Sequence, residues 1–404
     1  MILPKLAELC KRLAASIYRL GSPEWLNEGE GRITARHSFT SEEIDMSLNS
    51  FITLGRSGLR VSPFCLGSMT FGEDLGWGAS VADSETMIAA YLERGGNFID
   101  TANVYTNGHS EKIIGDFFAK KGNRDRVVIG TKFFCSLFEG DPNGGGAGRK
   151  ALIQQCEASL RRLQTDYIDI YWLHIWDRTA PIEETLRGLD DLVASGKVRY
   201  IGFSDLPAWK VSQAQTLAHF RGWAPITAVQ LEYSLLERTA EGELIPMAQE
   251  MGMGVMPWSP LKHGLLSGKF RRDGVGSVDT KRNAMAAVPS EGDHVVIDAL
   301  CAMADEVGAT PAAVALAWVR SRPGVASTII GARRLDQLEA NLAALDLNLT
   351  DAQVAKLNAV SKPALNFPGE INTHLAPPVG FPGATVDGQT WPLSPQLAAS
   401  TNRY

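Results

Sequence analysis

From residue 64 onward, short apolar runs alternate with longer helix-like stretches eight times. The runs are 64–67, 97–100, 127–132, 168–173, 198–203, 227–230, 253–257 and 325–331. Helical patterns follow at about Val81–Arg94, Ser110–Lys120, Arg149–Leu163, Ile182–Ala194, Ala208–Phe220, Ala240–Met251, Val295–Val307 with Pro311–Ser321, and Leu335–Leu345. Strands that alternate strictly with helices are parallel strands joined by helical crossovers. Their unbroken apolar character fits strands buried on both faces.

Eight such units fit a closed (β/α)8 barrel, although an open doubly wound sheet shows the same alternation. The balance tips on a missing signal: no GxGxxG follows an early strand. GGGAG at 144–148 has no strand directly before it, so it reads as a flexible loop within an insertion. FITLG and LRVSP, around Gly55–Gly58, read as an N-terminal β-hairpin. The polar stretch 265–293 reads as a mobile surface loop. The expected organisation is an N-terminal extension at 1–49, the barrel at 50–361, and an irregular Pro/Gly-rich tail at 362–404 packed on the barrel.

Residues 1–45 carry Lys5, Lys11, Arg12 and Arg19 among apolar residues at near-helical spacing. They lack a continuous apolar segment and a small-residue cleavage site, so a secretory signal is excluded. A peripheral helix is the first reading, with an organelle-targeting or membrane-surface helix behind it. Met46 opens MSLNSFITLGRSGLRVS, which reads like a natural start, so the extension is expected to be flexible or non-native.

Charge and cysteine content narrow the function classes. The net charge is −6 with acidic and basic residues interspersed, which argues against nucleic acid or an anionic membrane as main partner. No apolar run approaches the roughly 18–20 residues of a membrane span. Cys10, Cys65, Cys135, Cys156 and Cys301 are scattered and odd in number, as expected of reduced thiols in a cytoplasmic protein. Clustered Cys/His ligands for zinc are missing.

In a (β/α)8 barrel, chemistry sits at the C-terminal ends of the strands. Asp100 ends the second strand, Lys132 the third and His174 the fourth, and Tyr105 follows Asp100 by five residues. Taken singly, each has an ordinary reading: a loop-ordering acid, a packing aromatic, a surface ion pair, a satisfied core histidine. Their convergence on one mouth favours chemistry. A tyrosine with pKa near 10 is a reluctant proton donor. A nearby ammonium from Lys132 is expected to lower that pKa, with Asp100 holding the lysine by an ion pair. His174 is expected to orient a carbonyl oxygen or to share in proton transfer. Side chains supply no hydride, so a nicotinamide cofactor is implied.

Several motifs then carry a family resemblance over about residues 50–360. GLRVSPFCLGSMTFG, FIDTANVYTNGHSE, IGTK, LRRLQTDYIDIYWLH, GKVRYIGFSD, VQLEYSLLER, PWSPLKHGLLSGK and IIGARRLDQLEAN occur in order. Together they resemble the aldo-keto reductase superfamily. GGGAGRK, TDYIDIYWLHIWD and GFSDLPAW are most similar to its aryl-alcohol dehydrogenase-like and bacterial oxidoreductase branch.

The resemblance implies that Asp100, Tyr105, Lys132 and His174 are the catalytic tetrad. It implies that Ser204 and Gln230 hold the nicotinamide carboxamide, with Asp205 where the family usually has Asn. An acid there accepts but cannot donate. Tyr233 matches the aromatic that stacks on the nicotinamide ring. Trp258, Ser259, Pro260, Leu261 and Lys269 match the pyrophosphate loop, and Gly331, Arg333, Gln337 and Asn341 the adenosine site. Ala340 stands where the family often has Glu. Arg333, with Arg334 adding to the field, favours NADPH over NADH through charge-assisted bonds to a 2′-phosphate.

Met69, Phe71, Trp77, Phe133, Trp176 and Trp209 are expected near the mouth as a substrate pocket, suited to aromatic or bulky carbonyls. The expected function is NADPH-dependent, reversible reduction of aldehydes or ketones to alcohols, with Tyr105 as proton donor. The expected partner is a small carbonyl compound, and the sequence leaves room for a homo-oligomer. The alternative is an NADPH-binding, redox-sensing auxiliary subunit of a channel with slow turnover. A dehydratase or epimerase on the same barrel is a remote third.

Overall fold

In the computed structural model, which describes residues 47–272, 288–399 and 401–402, the eightfold alternation becomes a (β/α)8 barrel. A hairpin comes first, pairing β1 (Ile52–Thr53) antiparallel with β2 (Arg60–Val61). The barrel strands are β3 (Phe64–Gly67), β4 (Phe98–Asp100), β5 (Val128–Phe133), β6 (Ile168–Leu173), β7 (Val198–Ser204), β8 (Ile226–Glu232), β9 (Gly254–Trp258) and β10 (Thr328–Gly331). From β3 to β9 each pairs parallel with the next, and β10 pairs parallel with β3. Between β9 and β10 the cylinder is joined by Val255 and Val325: the Val255 amide donates to Gly324 O at 3.0 Å, and the Ala326 amide to Val255 O at 2.9 Å. The eighth run was expected from 325, but pairing to β3 begins only at Thr328 because 325–326 serve this junction.

The crossover helices start and stop on local chemistry. α1 (Val81–Glu93) is capped by the Ser80 hydroxyl, which accepts from the Asp83 amide, and ends where Gly95 takes φ +87°. α2 (His109–Lys121), α3 (Arg149–Leu163), α4 (Ile182–Ala194) and α5 (Ala208–Arg221) follow β4 to β7. The helix expected over 240–251 is broken into a 3-10 turn at Thr239–Glu241 and α6 (Leu244–Glu250). Pro246 has no amide to donate, so it is tolerated only in the first turn.

α7 (Glu291–Val307) opens on a Ser290/Asp293 capping box, four residues earlier than expected. The polar stretch 265–293 is therefore not all loop: a helical turn at Lys262–Ser267 opens it and α7 closes it, while 273–287 lie outside the described residues. α8 (Pro311–Arg320) has Thr310 as cap and Pro311 at its first position. α9 (Leu335–Leu342) ends the repeat, and α10 (Asp351–Val360) follows on a Thr350/Gln353 capping box. The tail from 362 contains short elements, including a helical stretch at Ala376–Gly380 and a hairpin of Thr385–Val386 with Gln389–Thr390. The N-terminal extension through residue 46 lies outside the described residues.

The barrel interior and the strand–helix layer form separate cores. Inside are Cys65, Phe98, Val128, Ile170, Trp172, Ala228, Met256 and Ala326, with Leu54 and Val61 of the hairpin packed against them. The hairpin thus closes the end opposite the strand C-termini, where the Arg56 amide donates to Gly252 O at 2.7 Å. Trp172 is fully buried. Its ring needs glycine on the neighbouring strand, since a Cβ on Gly202 would sit 2.2 Å from the indole. Cys65, Cys156 and Cys301 are buried, Cys135 is half-buried, and all four are unbonded. Among the described residues no helix is long and apolar enough to cross a membrane, and no three metal-ligating side chains cluster.

Candidate active site

The strand register sets the site. Gly67 pairs with Asp100, Asp100 with Gly130, Lys132 with Trp172, Trp172 with Gly202, and Ser204 with Gln230. Strand ends at these positions deliver Asp100, Lys132, His174, Ser204 and Gln230 to one mouth, above the layer that Trp172 fills. All five line a single cavity of about 490 Å³, and Tyr105 joins them from its loop.

Lys132 is 1% exposed and Asp100 2%. Each of the three ammonium protons has an acceptor: the Asp100 carboxylate, Thr101 O at 2.8 Å and the Tyr105 hydroxyl at 3.3 Å. Asp100 also accepts from Gln230 Nε2 at 2.7 Å. Burial disfavours the Lys132 charge, but Asp100 and Tyr105 outweigh it and the pKa is raised. Burial raises the Asp100 pKa, against the pull of Lys132 and Gln230. An isolated buried charge would neutralise itself; this pair keeps both charges because each satisfies the other.

Tyr105 carries a correction. Burial raises its pKa, Lys132 lowers it, Asp100 raises it, and the net shift is upward. The expected net lowering by Lys132 is outweighed by desolvation. The phenol therefore holds its proton at neutral pH, and the ammonium acts on the phenolate only once that proton has left. His174 goes the other way: burial, then Lys132, lowers its pKa to about 3. It is a neutral imidazole at any ordinary pH, with no imidazolium proton to give.

The loop holding Tyr105 is locally costly. Thr106, Asn107 and Gly108 take φ of +47°, +57° and +91° in succession. Left-handed non-glycine residues cost of the order of 1–3 kcal/mol each, and they persist where their surroundings fix them. Here the Thr106 hydroxyl donates to Phe71 O at 2.8 Å and accepts from the Ser110 amide at 3.0 Å. A Cβ on Gly108 would strike Arg162 at 2.8 Å. Arg162 in turn donates to the fully buried Glu111 at 2.6 Å, whose other oxygen accepts from Thr131 Oγ1 at 2.6 Å, next to Lys132. α2 and β5 are thereby tied together beneath the tyrosine.

The remaining positions expected to hold the cofactor fall along the same cavity. Asp205, Trp258, Ser259, Pro260, Leu261, Lys269, Gly331, Arg333, Gln337 and Asn341 all line it. Asp205 sits at φ +55° and accepts from Trp258 Nε1 at 3.1 Å and from Ser204 Oγ at 3.2 Å. Burial raises its pKa, with those two donors pulling it down. Gln337 accepts from the Arg333 amide at 3.0 Å, and Asn341 donates to Gly331 O at 3.1 Å. Arg334 is turned away: it is exposed and spent on Asp336, at 2.9 Å, and adds nothing to the cavity lining.

Tyr233 does not reach the cavity. It is buried 5.5 Å from the Trp318 ring and donates to Glu241, so it offers no face to a nicotinamide. Trp258, at the end of β9, is the aromatic that lines the site there.

Of the six expected pocket residues only Met69 lines the cavity. Phe71 and Phe133 are wholly buried, and Phe133 stacks on Tyr171 at 4.6 Å in the outer core. Side chains alternate along a strand, so the residue after the inward-facing Lys132 points outward. Trp77, Trp176 and Trp209 lie outside the lining. Trp176, on the loop after β6, and Trp209, in the first turn of α5, meet edge-on at 5.5 Å, with Lys210 over Trp209 at 4.6 Å. Unforeseen lining residues are Ser68, Thr70, His263, Ser267, Phe270 and Leu316, among others. His263 and Ser267 fall within PWSPLKHGLLSGK, so that motif held the signal.

The cavity suits an elongated dinucleotide. Its lining includes polar groups at Ser204, Asp205 and Gln230, a turn with left-handed Ser259, His263 and Gly264, and Arg333 just before α9. Such a turn and a helix start present amides to phosphate oxygens.

Comparison with known proteins agrees. The model of the Aldo/keto reductase family matches residues 63–362. A norsolorinic acid reductase of Aspergillus flavus is 35% identical over 77% of this chain and 81% of its own length. The uncharacterized oxidoreductase YrpG of Bacillus subtilis is 38% identical over 78% of this chain and 95% of its own. An aryl-alcohol dehydrogenase, NADP(+), of Phanerodontia chrysosporium is 37% identical over 74% of this chain and 83% of its own. With the barrel, the strand-end residues and these matches together, the chain belongs to the aldo/keto reductase family and is an oxidoreductase.

Proposed function

We propose that this chain reduces aldehydes or ketones to alcohols with NADPH, reversibly, with Tyr105 as the proton donor. The observation that carries the reading is the Tyr105 hydroxyl at 3.3 Å from an ammonium that Asp100 holds in place. NADPH, when bound, supplies the hydride to the carbonyl carbon. The Tyr105 O–H donates its proton to the carbonyl oxygen, and Lys132 stabilises the phenolate left behind. His174, neutral, donates a hydrogen bond to the same oxygen and orients it. In the reverse direction the phenolate takes the alcohol proton.

Residues along the cavity divide the cofactor among them. Ser204, Asp205 and Gln230 hold the carboxamide end, Trp258 presents its ring to the nicotinamide, and Ser259–Leu261 with Lys269 surround the pyrophosphate. Arg333 supports the 2′-phosphate, which favours NADPH over NADH. Substrates are aryl or bulky carbonyls. The relatives named for aryl alcohols and for norsolorinic acid support that class, and so do Met69, Trp258 and Phe270 in the lining. A screen of NADPH oxidation over aromatic aldehydes, dicarbonyls and bulky ketones tests this. Sustained turnover supports the enzyme; very slow turnover with tightly held cofactor would instead indicate the redox-sensing role.

A further inference from the structure

The mechanism needs His174 to present an N–H to the substrate, and a neutral imidazole carries its proton on only one of two nitrogens. What fixes the choice lies outside the tetrad. Cys135 Sγ sits 3.9 Å from His174 Nδ1, within reach of a sulfur hydrogen bond. Cys135 does not line the cavity, whereas His174 does. The Nδ1 edge is therefore turned to the thiol, and the Nε2 edge remains for the cavity, where Tyr105 meets the imidazole edge-on at 6.1 Å.

The thiol is aimed by a strained and heavily bonded turn. Phe134 has φ +120°, which a side-chain-bearing residue rarely adopts. Its amide donates to Gln155 Oε1 at 2.9 Å and its carbonyl accepts from the Gly146 amide at 2.7 Å. The Cys135 carbonyl accepts from Asn103 Nδ2 at 2.7 Å, and Asn103 Nδ2 also donates to Gln155 at 3.1 Å. From the other side, the His174 amide donates to Phe133 O at 3.0 Å. The glycine-rich insertion expected to be flexible is thus part of this brace, with the Ala147 amide donating to Asp177 at 2.8 Å as well. Strain held by surroundings at a site is a pointer to function.

We infer that Cys135 is a positioning residue: its S–H donates to His174 Nδ1 and so holds the imidazole in the tautomer whose Nε2–H faces the substrate. Both groups are neutral, because burial raises the thiol pKa and lowers that of the imidazole. A thiolate would reverse the bond and pull the proton onto Nδ1. The inference deepens the proposed reaction and rests on that reading for its kinetic consequence, but the tautomer belongs to the protein alone.

The test separates the two. Two-bond 15N NMR on cofactor-free protein with labelled histidine, its seven signals assigned with His174→Gln, reads the tautomer directly. Wild type is expected to show His174 with its proton on Nε2. Cys135→Ala is expected to add the Nδ1–H form and lower kcat by up to about a hundredfold, the scale of a misplaced catalytic group, with KM nearly unchanged. Cys135→Ser, which keeps a donor, is expected to restore both. An Nδ1–H tautomer in wild type overturns the inference, and so does an alanine variant in which tautomer and kcat fail to change together. If wild type shows Nε2–H but turns over no carbonyl, the proposed reaction fails and the Cys135–His174 contact stands.

Discussion

The Lys132 ammonium lies 3.3 Å from the Tyr105 hydroxyl and gives its other protons to Asp100 and the Thr101 carbonyl. Lysine has three donors, and all three are used, so the ammonium is fixed in direction as well as in charge. Replacing Lys132 by Met removes the charge that stabilises the phenolate. It also leaves the Asp100 carboxylate buried with only Gln230. Stability should fall by about 3–5 kcal/mol, the cost of breaking a buried pair. Adding Asp100→Asn should recover much of the stability and none of the activity. Denaturant titration of the single and double variants reads the first effect, and kcat the second.

His174 gives a pH signature. Its folded pKa is about 3, below the ordinary imidazole value of 6.5. The unfolded chain therefore binds the extra proton between those values and the folded one does not. Stability from this group is complete above pH 6.5 and is lost as pH falls toward 3, by at most about 1.4 kcal/mol per pH unit. The His174 NMR signals should not titrate between pH 5 and 8. A transition near 6.5 in those signals would show the imidazole to be solvated.

Gly202 tests how the barrel interior supports the site. A methyl group there would meet the fully buried Trp172 ring at 2.2 Å. Gly202→Ala should cost about 1–3 kcal/mol through overpacking and should lower activity, because Trp172 pairs in register with Lys132. Thermal denaturation and kcat measured together should move in parallel.

Arg333 separates the two cofactors. Arg333→Ala should weaken NADPH binding by roughly ten- to a hundredfold, the worth of a charge-assisted contact, and leave NADH binding nearly unchanged. Fluorescence titration of the apo protein with each dinucleotide checks it. Equal losses for both would place Arg333 away from the 2′-phosphate.

Much of the site was legible because barrel geometry turns sequence position into place. Asp100, Lys132 and His174 each end an apolar run, and strand ends share one mouth. The misreadings came from facing. Phe133 follows Lys132 directly, so the period of two sends it into the outer core, and the sequence already contained that rule. Tyr233 was assigned by motif alone, whereas its hydroxyl pairs with Glu241 behind the barrel wall and Trp258 takes the cavity position. α10 lies outside the eightfold alternation, and its sequence signal is the Thr350/Gln353 capping box. The sign of the Tyr105 shift was out of reach, because it depends on how far desolvation outweighs one ammonium.

The most direct test of the account is NADPH oxidation with an aromatic aldehyde, comparing wild type with Tyr105→Phe under saturating cofactor. The phenylalanine ring keeps the packing and removes the acid together with one acceptor of the Lys132 ammonium. The account predicts that kcat falls by about 100- to 10,000-fold, the usual contribution of a positioned proton donor, with cofactor binding retained. A Tyr105→Phe variant that turns over at the wild-type rate would contradict it.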